Sequence, residues 1–326
     1  MLSSTSVQAA VLSALLIGAG ASPFKRQNYE PAFQYDFADP SVIQGGDGEY
    51  YAYATAGNGV QIQVARSSNG VSWELQQGVD ALAPGSIKWS PADNPQVWAP
   101  DVTPGPDGIY WMYFSAIASS TGDAAKHCIG FATADNPMGP FTPTSDEPWV
   151  CDTEFGDIDP DQFLDDDGTR WVTWKVDGNS AGSDSTPIMI QQVGDDGFTK
   201  IGDATQILDR DDADGPLVEA PSLVKSDGTY YLTFSSNMYN TDLYDTSFAT
   251  ASSVTGPYTK AQAPDAPILD SSIGGMIGPG GADMFIVPGQ NAVIVWHGWD
   301  STDYKARYLY ASSFNAEDGK IQIYYG

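Results

Sequence analysis

Three acidic side chains occupy one position of a repeating pattern. Asp39, Asp159 and Glu219 each stand eight residues before an Asp-Gly pair, and the Asp-Gly pairs recur every sixty residues. The same position holds Ala99 in the second repeat and aligns with Gly281 in the last. Three of the five equivalent positions are therefore acidic. With 42 Asp and Glu among 326 residues, fewer acidic residues would be expected there by chance. Because Asp-Pro and Glu-Ala-Pro are also ordinary turn sequences, exposed turn acids are the alternative interpretation.

Three carboxyl groups that converge on one point cannot all ionise at low cost. Repulsion between like charges and partial removal of water raise the pKa of at least one of them. One acid then stays protonated near neutral pH while another stays ionised. Hydrolysis of a glycosidic bond needs such a pair, one acid to protonate the leaving oxygen and one base to activate water. A third carboxyl group can hold the acid in place.

The acids depend for their position on a repeated hairpin. An Asp-Gly pair followed by alternating aromatic residues, as in DGIYWMYFS, begins at Asp47, Asp107, Asp167 and Asp227. A fifth, imperfect copy begins at Pro288, and there Trp296 aligns with Phe234 at a spacing of sixty-two. Each copy predicts a strand, a tight turn and a second strand.

Five such units predict an all-β fold, a five-bladed β-propeller with four-stranded antiparallel blades. A two-domain β-sandwich is the alternative, because regularly spaced short strands also suit sandwiches. In a propeller, equivalent positions of the blades face one another around the axis, so the three acids would meet there.

Composition excludes several functions. The 14 Lys and Arg against 42 Asp and Glu give a formal charge of −28, so phosphate backbones and anionic membrane surfaces would repel the chain. We therefore expect no nucleic-acid and no membrane partner. No glycine-rich phosphate loop and no Cys/His zinc spacing is present. The stretch 209–215 resembles half of a calcium loop but lacks a closing Glu, which favours a solvated acidic loop.

The N-terminal residues predict export. Residues 1–21 contain an apolar run that ends in small residues and reads as a signal peptide. Residues 22–26 end in Lys25-Arg26 and read as a propeptide, or else as two ordinary surface charges, which leaves 27–326 as one propeller domain. In an oxidising compartment we expect a Cys128–Cys151 disulfide, with two buried free thiols as the alternative. We expect a secreted monomer.

The chain resembles glycoside hydrolase family 43, the five-bladed inverting arabinanases, α-L-arabinofuranosidases and β-xylosidases. The matching segments cover essentially residues 27–326 in the family's order: FADPSV at 37–42, VWAPDV at 97–102, GDIDPDQF at 156–163, VEAPSLVK at 218–225 and YKARYLY at 304–310. The resemblance implies that Asp39 is the general base, Glu219 the general acid, and Asp159 the residue that orients the acid and modulates its pKa. Inversion also implies roughly 6.5 to 9.5 Å between base and acid.

Three further residues are candidates for substrate binding. Trp98, beside the Ala99 position, could form a sugar platform or belong to the core. The match of Arg307 to a late family Arg implies that it hydrogen-bonds a sugar hydroxyl or braces a carboxylate, with a surface Arg as the alternative. His297 matches an axial family His that holds an ion through water, which implies a structural calcium; an ordinary structural His is the alternative. Where relatives carry GPGH, this chain has GPGG at 278–281.

Together these features predict a secreted inverting glycoside hydrolase that acts on arabinan, arabinoxylan or derived oligosaccharides. We expect an exo-acting α-L-arabinofuranosidase that needs no organic cofactor. A β-xylosidase and an endo-1,5-α-L-arabinanase are the alternatives within the family. A non-catalytic propeller that binds glycans with its aromatic side chains is the alternative of another class.

Overall fold

The computed structural model describes residues 29–123, 126–286 and 292–324. In these ranges the chain forms twenty strands arranged as five four-stranded sheets, each antiparallel and built from strands consecutive in sequence. The predicted five-bladed propeller is therefore confirmed, and the sandwich alternative is wrong. The predicted signal peptide and propeptide, residues 1–21 and 22–26, lie outside the described residues. No helix within the described ranges is long and apolar enough to cross a membrane.

The strands follow one another from the axis outward in every blade. Blade one contains β1 (Ser41–Gln44), β2 (Tyr50–Ala54), β3 (Gln63–Ser67) and β4 (Glu74–Leu75). Blade two contains β5 (Trp98–Pro104), β6 (Tyr110–Ile117), β7 (His127–Ala134) and β8 (Thr142–Pro143). Blade three contains β9 (Asp157–Leu164), β10 (Arg170–Val176), β11 (Ile188–Val193) and β12 (Lys200–Leu208). Blade four contains β13 (Val218–Ser226), β14 (Thr229–Ser236), β15 (Asp245–Ala251) and β16 (Thr259–Lys260). Blade five contains β17 (Gly280–Phe285), β18 (Ala292–Trp299), β19 (Arg307–Glu317) and β20 (Lys320–Tyr324).

The repeated Asp-Gly pairs form the turns between the first two strands of a blade. All four glycines have positive φ, where a side chain would be strained: Gly48 at 84°, Gly108 at 78°, Gly168 at 85° and Gly228 at 76°. In the fourth hairpin Ser226 pairs with Thr229, so Asp227 and Gly228 alone make the turn. Both have positive φ, as a two-residue hairpin turn requires. The turn of the fifth copy, at 287–291, lies outside the described residues.

The alternating aromatic residues are explained by burial on both faces of the second strand. Tyr51 and Tyr53 pack toward blade two, whereas Tyr50 and Ala52 of the same strand pack toward blade five. Each of the five clusters of buried apolar side chains contains residues of two neighbouring blades. The core therefore lies between blades, and no blade buries its faces alone.

Side chains near the axis tie each blade to the next. In four blades a residue in or directly after the second strand accepts the backbone N–H of a residue in or just before the first strand of the following blade. These bonds are Ala99 N to Thr55 Oγ1 at 2.9 Å, Asp159 N to Ser115 Oγ at 3.2 Å, Gly281 N to Ser235 Oγ at 2.8 Å and Asp39 N to His297 Nδ1 at 3.0 Å. We call these bonds the axial ring. The equivalent position in blade three holds Lys175, whose ammonium group cannot accept a hydrogen bond.

The two cysteines form the predicted disulfide. Cys128, buried in β7, is bonded to Cys151, and their Cα atoms are 4.7 Å apart. Cys151 follows Val150, which forms an isolated bridge to Ile129. The bond thereby attaches the segment after blade two to the third strand of that blade.

Removing this cross-link should lower stability. The closed loop spans a sequence separation of 23 residues, for which chain entropy predicts a contribution of about 3 kcal/mol. We expect the double variant Cys128→Ala/Cys151→Ala to lose about that free energy of unfolding in a urea titration. A loss below about 0.5 kcal/mol would contradict the prediction.

Candidate active site

The three predicted carboxyl groups meet in one pocket at an end of the propeller axis. Asp39, Asp159 and Glu219 all line this pocket, which encloses about 300 Å³. Trp98 and Arg307 also line it. The structure thus brings together five of the six predicted site residues at one surface.

Each blade has one residue near the axis with a strained backbone conformation. The residues concerned have φ between +40° and +58°, where side chains other than that of Gly are uncommon: Asp39, Ala99, Asp159, Ala220 and Gly281. The fourth member is Ala220 rather than Glu219, so the register count was wrong by one residue. In the fourth hairpin the turn before the Asp-Gly pair is shorter than in the others, and the first strand is longer by a smaller amount. The Asp-Gly pair therefore lies one residue closer to the axial position. Glu219 lines the same pocket from the preceding residue, with a side chain one methylene longer than that of Asp.

Asp39 is held in its ionised form. Arg307 donates from Nη1 to Oδ1 at 3.0 Å, and the Thr55 hydroxyl donates to Oδ2 at 2.7 Å. Burial by itself would raise the pKa of Asp39, but the Arg307 charge and these hydrogen bonds outweigh it and lower the pKa. About a fifth of the Asp39 side chain is exposed. An ionised, accessible carboxylate can accept a proton from water.

Asp159 is in the opposite electrostatic environment. Burial, with the neighbouring charges of Glu219 and Asp39, raises the pKa of Asp159 to about 8, although Lys175 and the N–H of Ala220 oppose this. The N–H of Ala220 donates to Oδ2 at 2.9 Å. Glu219 is the neighbouring charge with the largest effect on Asp159, and the raised pKa means that the Asp159 carboxyl group retains a proton near neutral pH.

Both oxygens of Glu219 have partners that the catalytic prediction did not include. The Tyr244 hydroxyl donates to Oε1 at 2.8 Å, and the Lys175 ammonium donates to Oε2 at 2.9 Å. Lys175 also contacts Asp177 Oδ1 at 2.9 Å. Burial alone would lower the pKa of Lys175, but the charges of Glu219, Asp177 and Asp159 together raise it, so Lys175 is a cation.

Sequence signals for these partners existed but were weak. Lys175 was recognisable as the one cation at the position of Thr55, Ser115 and Ser235. Tyr244 lies in the tyrosine-rich stretch 238–247, whose sequence fits a solvated loop equally well.

Aromatic side chains form the walls of the pocket. Trp98 stacks on His127 with ring centroids 3.6 Å apart, and it is partly exposed, so one edge or face remains available at the pocket. The Arg307 guanidinium lies 5.2 Å from the ring centre of Tyr239 and 5.6 Å from that of Trp299. These contacts fix the cation that pairs with Asp39.

His297 lies behind Asp39 and is fully buried, so it is not among the pocket-lining residues of the described chain. Its Nδ1 accepts the Asp39 N–H, so a neutral ring carries its proton on Nε2. Burial and the nearby Arg307 charge lower the pKa of His297 to about 3, which keeps the ring neutral. The 3.4 Å contact between Nδ1 and Asp39 Oδ1 is therefore not an ion pair.

The expected calcium was tested against the atoms around His297. Nε2 is buried without a hydrogen-bond partner in the described structure. Because this nitrogen carries a proton, it fits donation to a water rather than direct coordination of a cation. In the described ranges no three His, Cys, Asp or Glu side chains are arranged to hold a metal. The residues present thus fit only the expected arrangement, in which water separates His297 from the ion.

The acidic stretch 209–215 is stabilised by protein groups. Asp212–Asp214 form a short 3-10 helix with a capping box from Asp211 and Asp214. Lys260 contacts both of these carboxylates. A lysine of the neighbouring strand therefore supplies the positive charge.

A five-bladed propeller with converging carboxyl groups in an axial pocket is compatible with hydrolytic chemistry, and comparison with known proteins identifies the family. The model of glycosyl hydrolases family 43 matches residues 29–321. The chain belongs to this family. It is therefore a member of a family of glycoside hydrolases.

The relatives differ in the activities that their names state. The chain is 27% identical to extracellular endo-alpha-(1->5)-L-arabinanase 1 of Bacillus subtilis, over 95% of this chain and 94% of that protein. It is 29% identical to beta-D-galactofuranosidase xynD of Aspergillus niger over 62% of this chain, and the alignment spans 58% of that relative. A solved thermostable family-43 glycoside hydrolase has the same fold, with a TM-score of 0.77 at 24% identity over 92% of this chain and 96% of the other.

The buried neutral state of His297 should make the protein sensitive to acid. Between the ordinary pKa of 6.5 and about 3, the unfolded chain binds a proton that the folded chain does not. The free energy of unfolding then falls by about 1.4 kcal/mol per pH unit as the pH drops, and this term is absent above pH 6.5. His297→Gln keeps an acceptor for the Asp39 N–H but does not titrate.

We expect the stability difference between wild type and His297→Gln to shift by about 2 kcal/mol from pH 7 to pH 5, against the wild type. Urea unfolding at the two pH values measures this difference. Parallel pH dependences would contradict a neutral buried His297.

Proposed function

We propose that this protein is a secreted inverting glycoside hydrolase that removes α-L-arabinofuranosyl units from arabinan, arabinoxylan or derived oligosaccharides. One observation carries the proposal. Asp39 is held ionised by Arg307, while Asp159, which interacts with Glu219, retains a proton in the same pocket. A base and an acid coexisting near neutral pH are what single-displacement hydrolysis requires.

The proposed reaction is a single displacement. Asp39 accepts a proton from water as the water oxygen attacks the anomeric carbon, and the bond from that carbon to the glycosidic oxygen breaks. Glu219 gives its proton to this leaving oxygen. Asp159 supplies the proton that Glu219 transfers and keeps the acid oriented. A carboxyl separation of roughly 6.5 to 9.5 Å, which leaves room for the water, remains part of the prediction.

Exo action is supported by residues that bound the pocket on different sides. Met238 and Tyr239 of the 238–247 loop line it, as do Asn179 and Ser180 of the 3-10 helix Gly178–Ala181. Walls of this kind suit the end of a chain better than its middle. Trp98 and Arg307 are proposed to contact the sugar, and His297 is proposed to act from behind Asp39.

The relatives favour a second candidate. The Bacillus subtilis protein aligned over nearly all of this chain is named an endo-arabinanase, which favours endo cleavage of 1,5-linked arabinan. A β-xylosidase is a further candidate, since a relative from Vibrio is named xylan 1,3-beta-xylosidase, at 30% identity over 60% of this chain and 35% of that protein. The non-catalytic glycan-binding alternative assigns no role to the proton that Asp159 retains.

Secretion, a monomeric state and the absence of nucleic-acid and membrane partners are part of the same proposal. The leader-like residues 1–21 and the word extracellular in the name of the Bacillus subtilis relative support secretion. A formal charge of −28 supports the exclusion of polyanionic partners. We propose no organic cofactor, and a calcium ion that His297 contacts through water.

Activity should depend on Glu219. We expect the wild type to hydrolyse an aryl α-L-arabinofuranoside faster than an aryl β-D-xyloside or linear arabinan. Glu219→Ala should lower kcat/KM on linear arabinan by about a thousandfold, because the leaving alkoxide loses its proton donor. Glu74→Ala, which removes an exposed acid on the outer strand of blade one, serves as the matched control. Wild-type inactivity on all three substrates would sink the enzyme proposal, and preference for the xyloside would redirect it to a β-xylosidase.

The stereochemistry of the product tests the assignment of Asp39 as base rather than nucleophile. Proton NMR recorded within the first turnovers should detect the sugar with inverted anomeric configuration, before mutarotation. A product with retained configuration would show that a carboxylate attacks the sugar directly, which is incompatible with the roles proposed.

A further inference from the structure

Lys175 interrupts the axial ring at the blade that carries Asp159. The equivalent residues Thr55, Ser115, Ser235 and His297 each accept a backbone N–H from the next blade. An ammonium group has no lone pair, so Lys175 cannot accept. The N–H of Ala220, which would have used this acceptor, donates to Asp159 Oδ2 instead.

The exchange of a hydroxyl for an ammonium is costly in a buried position. The Lys175 side chain is 1% exposed, and removing a charge from water is costly unless partners compensate it. A serine would complete the ring, as Ser115 and Ser235 do in the blades on either side. Ring closure therefore does not account for a lysine here.

The contacts of Lys175 account for its charge. Its ammonium lies 2.9 Å from Glu219 Oε2 and 2.9 Å from Asp177 Oδ1. Asp177 is 5% exposed and faces the ammonium from the end of the same hairpin strand. Tyr244 holds the other Glu219 oxygen at 2.8 Å. Glu219 is thus fixed through both oxygens, one of them by a cation.

We propose that Lys175 is a positioning residue for the proton donor, a role that rests on the proposed function. It fixes the Glu219 carboxyl group and stabilises the carboxylate that forms as the proton moves to the glycosidic oxygen. In this step the O–H bond of Glu219 breaks, an O–H bond to the leaving oxygen forms, and the bond from that oxygen to the anomeric carbon breaks. Lys175 keeps all its protons, and Asp177 balances its charge when Glu219 is protonated.

The decisive variant is Lys175→Ser. Serine restores the acceptor found in the neighbouring blades, so a purely structural role predicts a folded and active protein. The positioning role predicts a loss that depends on the leaving group, because a poor leaving group needs a proton and an activated one does not. The substrates are 2,4-dinitrophenyl and phenyl glycosides of the sugar that the wild type cleaves.

We expect Lys175→Ser to lower kcat/KM for the phenyl glycoside about tenfold more than for the dinitrophenyl glycoside. The alkaline limb of the pH profile should also move upward, since Lys175 lowers the pKa of Asp159 and its loss lets Asp159 keep its proton to higher pH. Equal losses on both substrates, or no loss, would overturn the proposal.

Two further variants keep the test decisive. Lys175→Ser/Asp177→Asn removes the buried pair together and leaves no uncompensated Asp177, so it replaces the single variant if that one does not fold, with the same expected leaving-group effect. Lys225→Met is the matched control, because Lys225 pairs with Asp165 at 2.6 Å, six residues along the strand from Glu219. It should show equal rate changes on both substrates and an unshifted alkaline limb.

The outcomes separate this inference from the proposed function. A wild type without hydrolysis on any glycoside refutes the function and the inference together. A wild type that hydrolyses both glycosides, with Lys175→Ser losing equally on each, refutes the role of Lys175 alone. A leaving-group effect in Lys225→Met as large as that in Lys175→Ser would also refute it.

Discussion

The structure depends on a backbone N–H near the axis that must find an acceptor in the neighbouring blade. Each first strand turns there through a residue with positive φ, and an unpaired buried N–H would cost free energy comparable to a lost hydrogen bond. In four blades a hydroxyl or imidazole of the preceding blade meets this need. In the remaining blade interface the acceptor is Asp159. A carboxyl group of the axial pocket thus also serves as one link of the ring that joins the blades.

The carboxyl groups of the pocket have different pKa values because they contact different cations. Arg307 pairs with Asp39, and Lys175 pairs with Glu219 and Asp177. Asp159 has no cation within ion-pairing distance in the described structure, although it lies between the others, so its pKa is the one that rises. Two cations among four acids therefore leave Asp39 and Asp159 in different protonation states.

The sequence predicted the features that repeat. The sixty-residue period predicted the blades, and the acids at one position of the repeat predicted the convergence of Asp39 and Asp159, because symmetry brings equivalent residues to the axis. The two-residue turn of the fourth hairpin shifts the count back from the Asp-Gly pair by one residue, so the count reached Glu219 instead of Ala220. Glu219 nevertheless lines the pocket, and its longer side chain contributes to this. Tyr244 and Asp177 belong to no repeated position. Their contacts with Glu219 and Lys175 arise from packing between elements, which periodicity does not describe.

The contact between Asp39 and Arg307 joins residues 268 positions apart. Asp39 also donates its N–H to His297, and Val42 and Val295 share the cluster at this same interface. Such long-range contacts form late, because a long loop must close before they contribute. Asp39 therefore acquires its charge partner only when the fifth blade docks against the first. Closure of the ring and charge pairing of Asp39 are one folding event, and a chain that has folded only the first four blades leaves Asp39 without Arg307.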